Sequence, residues 1–428
     1  MKFYSTKGKN KLVPFREAVI KSLPEDNGLY FPERIPSLEG SFFDALKTYS
    51  LPEIGFEVMK NFCAEDIPEA KLSEIMQDVL SFETPIKKIK NNIYSLELFH
   101  GPTYAFKDVG ARFLARCLGY FNQSDNKEVT ILVATSGDTG GAVAAGFYKV
   151  PGVKVIILYP SGKVSDLQEK QLTTLGENIS ALEIDGDFDN CQALVKKAFL
   201  DKEINEHIQL SSANSINIAR WMPQSIYYYE ALKQLESTEN CVMAVPSGNY
   251  GNITAGMLAK KMGLPIHRFI AASNANDIVP RYLSKGSYEI QPTVATLSNA
   301  MDVSNPSNFP RMMELYDQNW QDVKSDTTGF SLDDAETLNT MAVCEKDNDY
   351  ILDPHGAIGY EALLQNLKEE EQGIFLETAH PCKFADTVES ALGKTIPVPE
   401  FAEGLMTQKK VATKMDSSFE SFKNHLLG

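Results

Sequence analysis

The sequence predicts an α/β protein whose parallel sheets are covered by helices on both faces, with a mainly helical segment in front of them. From about residue 93 onwards, short β-branched runs alternate with helical stretches, which is typical of parallel β-α-β units. Residues 1–83 instead show short helical patterns separated by turns that contain Pro or Gly. The 428-residue chain is 43% hydrophobic and 23% charged, an ordinary composition for a globular protein with a large core.

The helical patterns of the first segment carry no chemical constellation. They are PFREAVIKSL, FFDALKTY, LPEIGFEVMKNF and EAKLSEIMQDVL, and the stretch GLYFP interrupts them. We therefore expect residues 1–83 to form a helical N-terminal accessory domain that packs against the catalytic part of the chain.

The rest of the chain is expected to form two α/β domains. Strand and helix patterns alternate through VTILVA, GGAVAAGFYK, VKVIILYP and SDLQEKQLTTLG, and later through CVMAVP, ITAGMLAKKMG and RFIAAS. We assign residues 84–121 and 210–428 to a larger domain and residues 122–209 to a smaller, mobile domain. Ligands in such folds bind at loops that leave the carboxyl ends of strands, so candidate residues are sought in those loops.

Charge and cysteine usage exclude several classes of function. The formal net charge of −16 argues against a nucleic-acid or anionic-membrane partner. The six cysteines are scattered without a C-x-x-C pair, which indicates reduced thiols. The first residues lack an apolar signal core, and no stretch approaches the roughly 18 apolar residues of a membrane span. These features predict a soluble, cytoplasmic protein.

One lysine stands between an aromatic run and an amphipathic helix, in LFHGPTYAFKDVGARFLAR. Asp108 is the acidic residue that such a helix favours at its start, so Lys107 lies at the helix mouth. An ammonium pressed against apolar surface loses hydration; its pKa falls, and the amine becomes a better nucleophile. A surface lysine paired with Asp108 is the alternative interpretation of this stretch alone.

Two glycine-containing loops follow predicted strands and offer backbone amides for an anion. The first, VATSGDTGGAV, is explained equally well by a tight turn that needs glycines and a cap. The second, AVPSGNYGNITAG, matches neither G-x-G-x-x-G nor the P-loop and fits a phosphate monoester better. The residues concerned are Ser136, Gly137, Asp138 and Thr139 in the first loop and Ser247, Gly248, Asn249, Tyr250, Gly251 and Asn252 in the second.

Three further segments add polar side chains at the same predicted edge. Thr378 ends an apparent strand in GIFLETAHPCKF; His380 and Cys382 lack a second pair at ligand spacing, so no metal is predicted. Each of the other side chains could serve only as a helix cap, but five polar loops at one edge together favour a site. These other side chains are Lys163, Ser165, Gln168, Asn214, Ser215, Asn217 and Arg220.

Two anion sites and a poised lysine fit the chemistry of pyridoxal 5′-phosphate. The lysine forms a Schiff base with the cofactor aldehyde, one loop holds the cofactor phosphate, and the other holds an amino acid carboxylate. The additional Lys, Arg, Ser and Asn donors imply a third anionic group, such as a phosphate on the substrate.

The motifs resemble those of the threonine synthase family, in its longer bacterial and fungal type with an N-terminal extension. LFHGPTYAFKD, ATSGDTG, SANSINIAR, PSGNYG, TLSNAMDV and TAHPCKF recur there in this order and span nearly the whole chain. Tyr104 and Tyr250 stand where related sequences often carry Leu and Phe, which bears on pocket shape. The resemblance implies a tryptophan-synthase-β-like, pyridoxal-phosphate-dependent fold (fold type II), with the larger domain binding the cofactor, and a monomer.

The resemblance also implies roles for individual residues. Lys107 would carry the Schiff base, Thr378 would bond the pyridine nitrogen, and Asp138 would lie near the phenolic oxygen. The loop of Ser247, Gly248, Asn249, Tyr250, Gly251 and Asn252 would hold the cofactor phosphate. The substrate O-phospho-L-homoserine would lose phosphate from its γ carbon and take up water at the β carbon, giving L-threonine. Its ligands would be Thr135, Ser136, Gly137, Thr139, Lys163, Ser165, Gln168, Asn214, Asn217 and Arg220.

Three other functions compete with this interpretation. A serine/threonine dehydratase or a cysteine-synthase-like enzyme would share the lysine and the glycine loop, but such enzymes usually handle substrates without a γ-phosphate. The D-T-G in ATSGDTGG is also a signature of aspartic proteases, which need two carboxylates and an all-β fold. A non-enzymatic phospho-ligand binder would have no reason to place Lys107 among the anion sites.

Overall fold

The computed structural model describes residues 1–125 and 128–428. Within those ranges the strands form three sheets, of three, six and five strands. The first half of the described chain carries β1 (Lys2–Ser5), β2 (Gly8–Pro14), α1 (Phe15–Lys21), β3 (Tyr30–Pro32), α2 (Gly40–Ala45), α3 (Leu51–Cys63), α4 (Glu69–Val79), β4 (Ile86–Lys90), β5 (Ile93–Glu97), α5 (Lys107–Asp125), β6 (Val129–Ala134), α6 (Asp138–Phe147), β7 (Val153–Pro160), α7 (Asp166–Thr173), β8 (Ile179–Asp185), α8 (Phe188–Leu200), α9 (Lys202–His207) and β9 (Gln209–Ser212).

The second half continues the alternation of strands and helices. It carries α10 (Ile218–Trp221), α11 (Ile226–Lys233), β10 (Cys241–Pro246), α12 (Gly251–Lys261), β11 (Arg268–Ser273), α13 (Ile278–Lys285), α14 (Phe309–Leu315), α15 (Trp320–Asp326), β12 (Thr327–Ser331), α16 (Asp334–Asn348), α17 (Pro354–Asn366), β13 (Gln372–Glu377), α18 (Ala385–Leu392), α19 (Glu400–Met406), β14 (Thr413–Asp416) and α20 (Phe419–Leu427).

The N-terminal segment combines the expected helices with a small sheet. Strands pair antiparallel in the order β2-β1-β3, and helices α1 to α4 follow the periodic stretches of the sequence. Helix α3 begins at a capping box in which Ser50 and Glu53 satisfy each other's backbone amides, which stabilises the first turn. The interrupting stretch GLYFP contains β3.

The larger sheet has the strand order β12-β11-β10-β13-β5-β4. Its strands are parallel except for β4, which pairs antiparallel with β5 at one edge. Every residue of β10 is buried, and alternate side chains enter two different cores: Met243 and Val245 one, Val242 and Ala244 the other. Helices cover both faces, which explains why the strand reads as a continuous apolar run.

The smaller sheet is fully parallel, with the order β14-β8-β7-β6-β9. One face packs with α5 in the main core, and the other packs against α8 and α20. The sequence-based division assigns all of residues 210–428 to the larger domain, whereas β14 pairs with β8 in the smaller sheet. A four-residue strand without a buried side chain has no apolar run by which the sequence could reveal it.

All six cysteines are buried thiols. In the ranges that the structure describes, no helix combines the length and apolar character needed to cross a membrane.

Candidate active site

Lys107 lies at the carboxyl edge of the larger sheet, beside the end of β13. Glu97, the last residue of β5, pairs with Glu377 at the end of β13. Beyond the strands, the Phe106 amide donates to the Thr378 carbonyl at 2.9 Å. The segment that precedes Lys107 therefore runs along the loop that carries Thr378, and α5 starts there.

Two consecutive tyrosines on α11 tie Lys107's segment to the second glycine loop. The Tyr227 hydroxyl donates to the Phe106 carbonyl, immediately before Lys107. The Tyr228 hydroxyl donates to Asn252, with 2.9 Å to the side-chain Oδ1. Both tyrosines are fully buried, so the lysine and this loop are fixed to one rigid element.

The environment of Lys107 favours a neutral amine. Its side chain is 18% exposed, and its Nζ lies 3.7 Å from Asp138 Oδ2. Burial lowers the pKa of Lys107, and the nearby cations Lys383 and Arg220 lower it further, against the opposing effect of Asp138. A lysine with a lowered pKa has a larger fraction of the neutral amine, which is the form that acts as a nucleophile or base.

The loop between β6 and α6 is built around one threonine. Thr135 Oγ1 accepts the amides of Gly137 and Gly140, each at 2.9 Å. Gly137 has a φ of +136°, and a Cβ there would stand 2.4 Å from Gln168, so only glycine fits. Ser136 and Thr139 remain half-buried, at a helix N-terminus whose dipole favours anions.

Asp138 is the charged centre of this loop. Its Oδ1 accepts from Lys383 Nζ at 2.8 Å and from Gln168 Nε2 at 2.9 Å, while Oδ2 faces Lys107. Burial alone would raise the pKa of Asp138, but Lys383 and Lys107 outweigh burial and hold it well below its usual range. The carboxylate is therefore ionised at neutral pH.

The loop between β10 and α12 offers donors that have no protein acceptor. The amides of residues 248–252 make no hydrogen bond within the described chain, and Asn252 Nδ2 is buried without a partner. Tyr250 holds the left-handed turn at a φ of +59°, and its hydroxyl pairs with Ser273 Oγ at 2.8 Å. Buried donors are normally satisfied, so this cradle fits a phosphate monoester.

The rest of the loop is fixed by close packing and by carbonyl contacts. A Cβ on Gly248 would stand 2.6 Å from Met301 Cα. The Asn249 carbonyl accepts from the backbone and the side chain of Asn308 at 3.2 and 3.1 Å. The Ser247 hydroxyl donates to the Val245 carbonyl at 2.8 Å and so turns back onto the strand. Gly251 is the first residue of α12.

Several predicted substrate ligands are already engaged by the protein. Ser165 and Gln168 form the capping box of α7, and Gln168 also bonds Asp138. Asn217 Nδ2 donates to the Val19 carbonyl at 3.0 Å and fixes α1 to α10. Lys163 is exposed. A role in binding substrate stays a prediction for all four.

Arg220 and Asn214 keep unused polar atoms in buried positions. Arg220 donates to the Ala213 carbonyl, and its Nε has no partner in the part of the chain that the structure describes. Burial lowers the pKa of Arg220 to about 10. Asn214 Oδ1 is likewise buried without a donor in the described chain.

Thr378, the predicted partner of the cofactor ring, is buried directly after β13, with 7% of its surface exposed.

The sequence interpretation missed Lys383, which contacts Asp138, and the two residues Thr103 and Gln171 that accept its other hydrogen bonds. Lys383 is fully buried and donates to the Thr103 carbonyl at 2.8 Å and to Gln171 Oε1 at 3.0 Å. Thr103 in turn donates its amide and hydroxyl to Asp108, at 2.9 and 2.5 Å. The available signal was a lysine within the apolar turn AHPCKF, next to the loop that carries Thr378.

We expect Asn252→Asp to weaken binding of pyridoxal 5′-phosphate by at least about tenfold. The change replaces an unpartnered buried donor by a carboxylate, and loss of one charge-assisted hydrogen bond costs about 1.5–3 kcal/mol. Titration of the apoprotein with the cofactor, followed by absorbance, measures the affinity.

Asn190→Asp is the matched control, since it makes the same change in the exposed first turn of α8 and should leave the affinity unchanged. Asn252→Ala removes the donor without adding charge and should fall between Asn252→Asp and the native protein. Equal affinity in all three variants would exclude this loop as the phosphate site.

Comparison with known proteins covers the whole chain. Residues 79–376 match the family model described as pyridoxal-phosphate dependent enzyme, residues 2–80 the model of the threonine synthase N terminus, and residues 356–426 that of the threonine synthase C-terminal part.

Individual relatives agree over the same length. Threonine synthase of Haemophilus influenzae is 47% identical over 429 residues, with 100% of both chains covered. The crystal structure of threonine synthase from Escherichia coli has a TM-score of 0.94 at 44% identity, covering 100% of this chain and 99% of the other. A threonine synthase from Brucella melitensis with bound pyridoxal phosphate has a TM-score of 0.94 at 35% identity, covering 100% and 98%.

Proposed function

The chain is a member of the threonine synthase family of pyridoxal-phosphate-dependent enzymes, and from this premise we propose how its own residues make L-threonine from O-phospho-L-homoserine and water. The predicted family, fold type and cofactor are thereby confirmed. Threonine synthase activity is favoured over a dehydratase or cysteine-synthase-like activity, because the N- and C-terminal family models cover the ends of this chain as well as its centre.

The residues of the site fit the cofactor. We propose that the free amides of residues 248–252 and Asn252 Nδ2 hold its phosphate and that the Thr378 hydroxyl bonds its ring nitrogen. When bound, pyridoxal 5′-phosphate supplies an electron sink for negative charge at the substrate carbon next to the amine. A hydroxyl, unlike a carboxylate, does not enforce a positive charge on the ring nitrogen.

Lys107 is the proposed attachment point for the cofactor aldehyde and the proposed base. The single observation that carries this assignment is the position of its mostly buried amine, 3.7 Å from Asp138 and held through Tyr227 and Tyr228 next to the loop of residues 248–252. Because burial and nearby cations lower its pKa, Nζ can accept and return protons at the α and β carbons of the substrate.

The substrate carries two anionic groups, for which the chain has separate candidates. We propose that the loop of Thr135, Ser136, Gly137 and Thr139 binds the carboxylate at the N-terminus of α6. Arg220 and Lys163 are the candidate cations for the γ-phosphate, with Asn214 nearby in sequence. Ser165 can still donate its hydroxyl, because its Oγ only accepts from the Gln168 amide. Gln168 and Asn217 use their side-chain amides in the contacts described above.

The two anion loops belong to different sheets, one to β6 and the other to β10. We propose that the smaller domain moves toward the larger one when substrate binds. Closure would exclude water while phosphate leaves and would leave one path for the water that adds afterwards.

Product analysis tests the function directly. We expect the purified holoenzyme to convert O-phospho-L-homoserine to equimolar L-threonine and inorganic phosphate, measured by chromatography and a phosphate assay. L-Serine and L-threonine, offered at the same concentration, should yield keto acid at less than about 1% of that rate, because they lack the second anion. Keto acid from L-threonine as the main product would favour a dehydratase instead.

A further inference from the structure

Lys383 is a second buried lysine next to the proposed catalytic amine, and the mechanism above does not use it. It lies in the short turn Pro381–Phe384 that follows β13, with its side chain 0% exposed. An isolated ammonium in such a buried place is strongly disfavoured. Other groups must therefore compensate the charge of Lys383.

The hydrogen bonds of Lys383 exclude it as a nucleophile. An ammonium has three donors, and those of Lys383 find three acceptors: the Thr103 carbonyl, Gln171 Oε1 and Asp138 Oδ1, at 2.8, 3.0 and 2.8 Å. Lys107 Nζ, by contrast, has one ion-pair partner in the described part of the chain, Asp138 Oδ2, at the longer distance of 3.7 Å. The two lysines thus share one carboxylate unequally.

We propose that Lys383 is a positioning residue that holds Asp138 as its own counter-ion and thereby leaves Lys107 a neutral amine. The proposal rests on the function proposed for Lys107 and deepens it. With Lys383 in place, the Asp138 carboxylate is neutralised when Lys107 is uncharged, so Lys107 need not carry a proton to balance a buried negative charge.

The charged groups around Lys107 act on its protonation in opposite directions. Asp138 on α6 favours the ammonium, whereas Lys383 beside β13 and Arg220 on α10 disfavour it. Asp108, the next residue, is engaged by Thr103, and Gln168 on α7 donates to Asp138. The Phe106 ring, which is uncharged, also lies near this amine, with its centroid 5.5 Å from Nζ.

Removal of Lys383 should therefore make Lys107 harder to deprotonate. Without its ammonium, Asp138 would have Lys107 as its one cationic partner among these groups. We expect Lys383→Met to raise the pH midpoint of Lys107 ionisation by at least about one unit, which lowers the neutral fraction about tenfold at any pH well below the native midpoint. Lys383→Arg, which keeps the charge, should restore most of the native midpoint.

Competitive acetylation of the apoprotein measures this midpoint without cofactor or substrate. Trace acetic anhydride is added at a series of pH values, and peptide mass spectrometry compares acetylation of Lys107 with that of exposed Lys163. Because no turnover is involved, failure of this test is distinguishable from failure of the proposed function, which product analysis reports.

Two further variants keep the outcome decisive. Asp138→Asn should lower the Lys107 midpoint, whereas Lys383→Met should raise it. A merely structural role of Lys383 would not produce shifts of opposite sign in these two variants. Lys410→Met removes an ammonium that pairs with Glu169 and Glu183 and should leave the midpoint unchanged. Should Lys383→Met fail to fold, Lys383→Gln carries the same expectation. A native midpoint in the folded Met or Gln variant would overturn the proposal.

Discussion

Lys107→Ala is expected to lower the rate of threonine formation about 10³-fold or more. The substitution removes both the proposed attachment point for the cofactor and the proposed base at the substrate carbons, and positioned acid–base catalysis alone contributes about 10²–10⁴-fold. The proposed phosphate cradle at residues 248–252 lies outside the change, so the variant should still bind pyridoxal 5′-phosphate, with weaker affinity. Steady-state rates with saturating O-phospho-L-homoserine and cofactor measure the loss.

The same variant should be no less stable than the native apoprotein. Burial lowers the pKa of Lys107 in the folded state, so the folded chain binds this proton less well than the unfolded chain. When a cationic group has a lower pKa in the folded state than in the unfolded state, it lowers the free energy of unfolding at every pH below its pKa in the unfolded state. For a lysine this includes pH 7. Alanine removes this effect, so the thermal midpoint should stay or rise.

Lys410→Ala is the control for loss of a lysine from an ion pair, and it should keep near-native turnover. A Lys107→Ala protein that retained more than about a tenth of the native rate would move the chemistry to another amine. A large fall in the thermal midpoint would instead attribute the lost activity to unfolding.

The strand-end loops could be found from the sequence because their strands are apolar on both faces. The run CVMAVP is buried throughout, so its end is marked sharply by Ser247 and the glycines that follow. Parallel strands place all such ends at one edge, which is why Lys107, Thr378 and this loop were expected together. The structure adds the ties that hold them, above all Tyr227 and Tyr228.

The roles of single polar side chains could not be read in the same way. Gln168 and Asn217 lie in segments whose sequence suggests substrate-binding residues. In the structure, their side-chain amides instead donate to Asp138 and to the Val19 carbonyl. Lys383 looks like an ordinary lysine in a short turn, and its burial depends on Thr103 and Gln171 from distant parts of the chain. The periodicity of apolar residues shows which face of a helix or strand is buried. It does not show which partner a long polar side chain contacts.

Arg311 connects the N-terminal segment to the proposed phosphate cradle at residues 248–252. It is fully buried on α14 and donates to the carbonyls of Tyr30 in β3 and of Ile216, at 3.2 and 2.7 Å. It also donates to Asn308 Oδ1 at 2.7 Å, and Asn308 in turn bonds the Asn249 carbonyl. One guanidinium therefore links the first sheet to the proposed phosphate cradle.

Arg311→Met is expected to lower the free energy of unfolding by about 3 kcal/mol. The methionine fills much of the volume but leaves buried carbonyl acceptors without donors, at about 1–3 kcal/mol for each unsatisfied group. Relief from burying a cation, which lowers the pKa of Arg311 to about 9, offsets part of the loss. Chemical denaturation of the apoprotein, followed by circular dichroism, measures the change.

Affinity for pyridoxal 5′-phosphate should fall in Arg311→Met as well, because Asn308 loses the contact that orients it toward Asn249. Arg281→Met is the matched control: Arg281 pairs with Asp277 one turn away on α13, and a partly exposed pair of this kind contributes under about 1 kcal/mol. If Arg311→Met lost stability but kept native cofactor affinity, the N-terminal sheet would support the fold without supporting the phosphate loop. If Arg311→Met left the free energy of unfolding unchanged, the prediction would be wrong. Solvent would then have to hydrate the Tyr30 and Ile216 carbonyls that the guanidinium now covers.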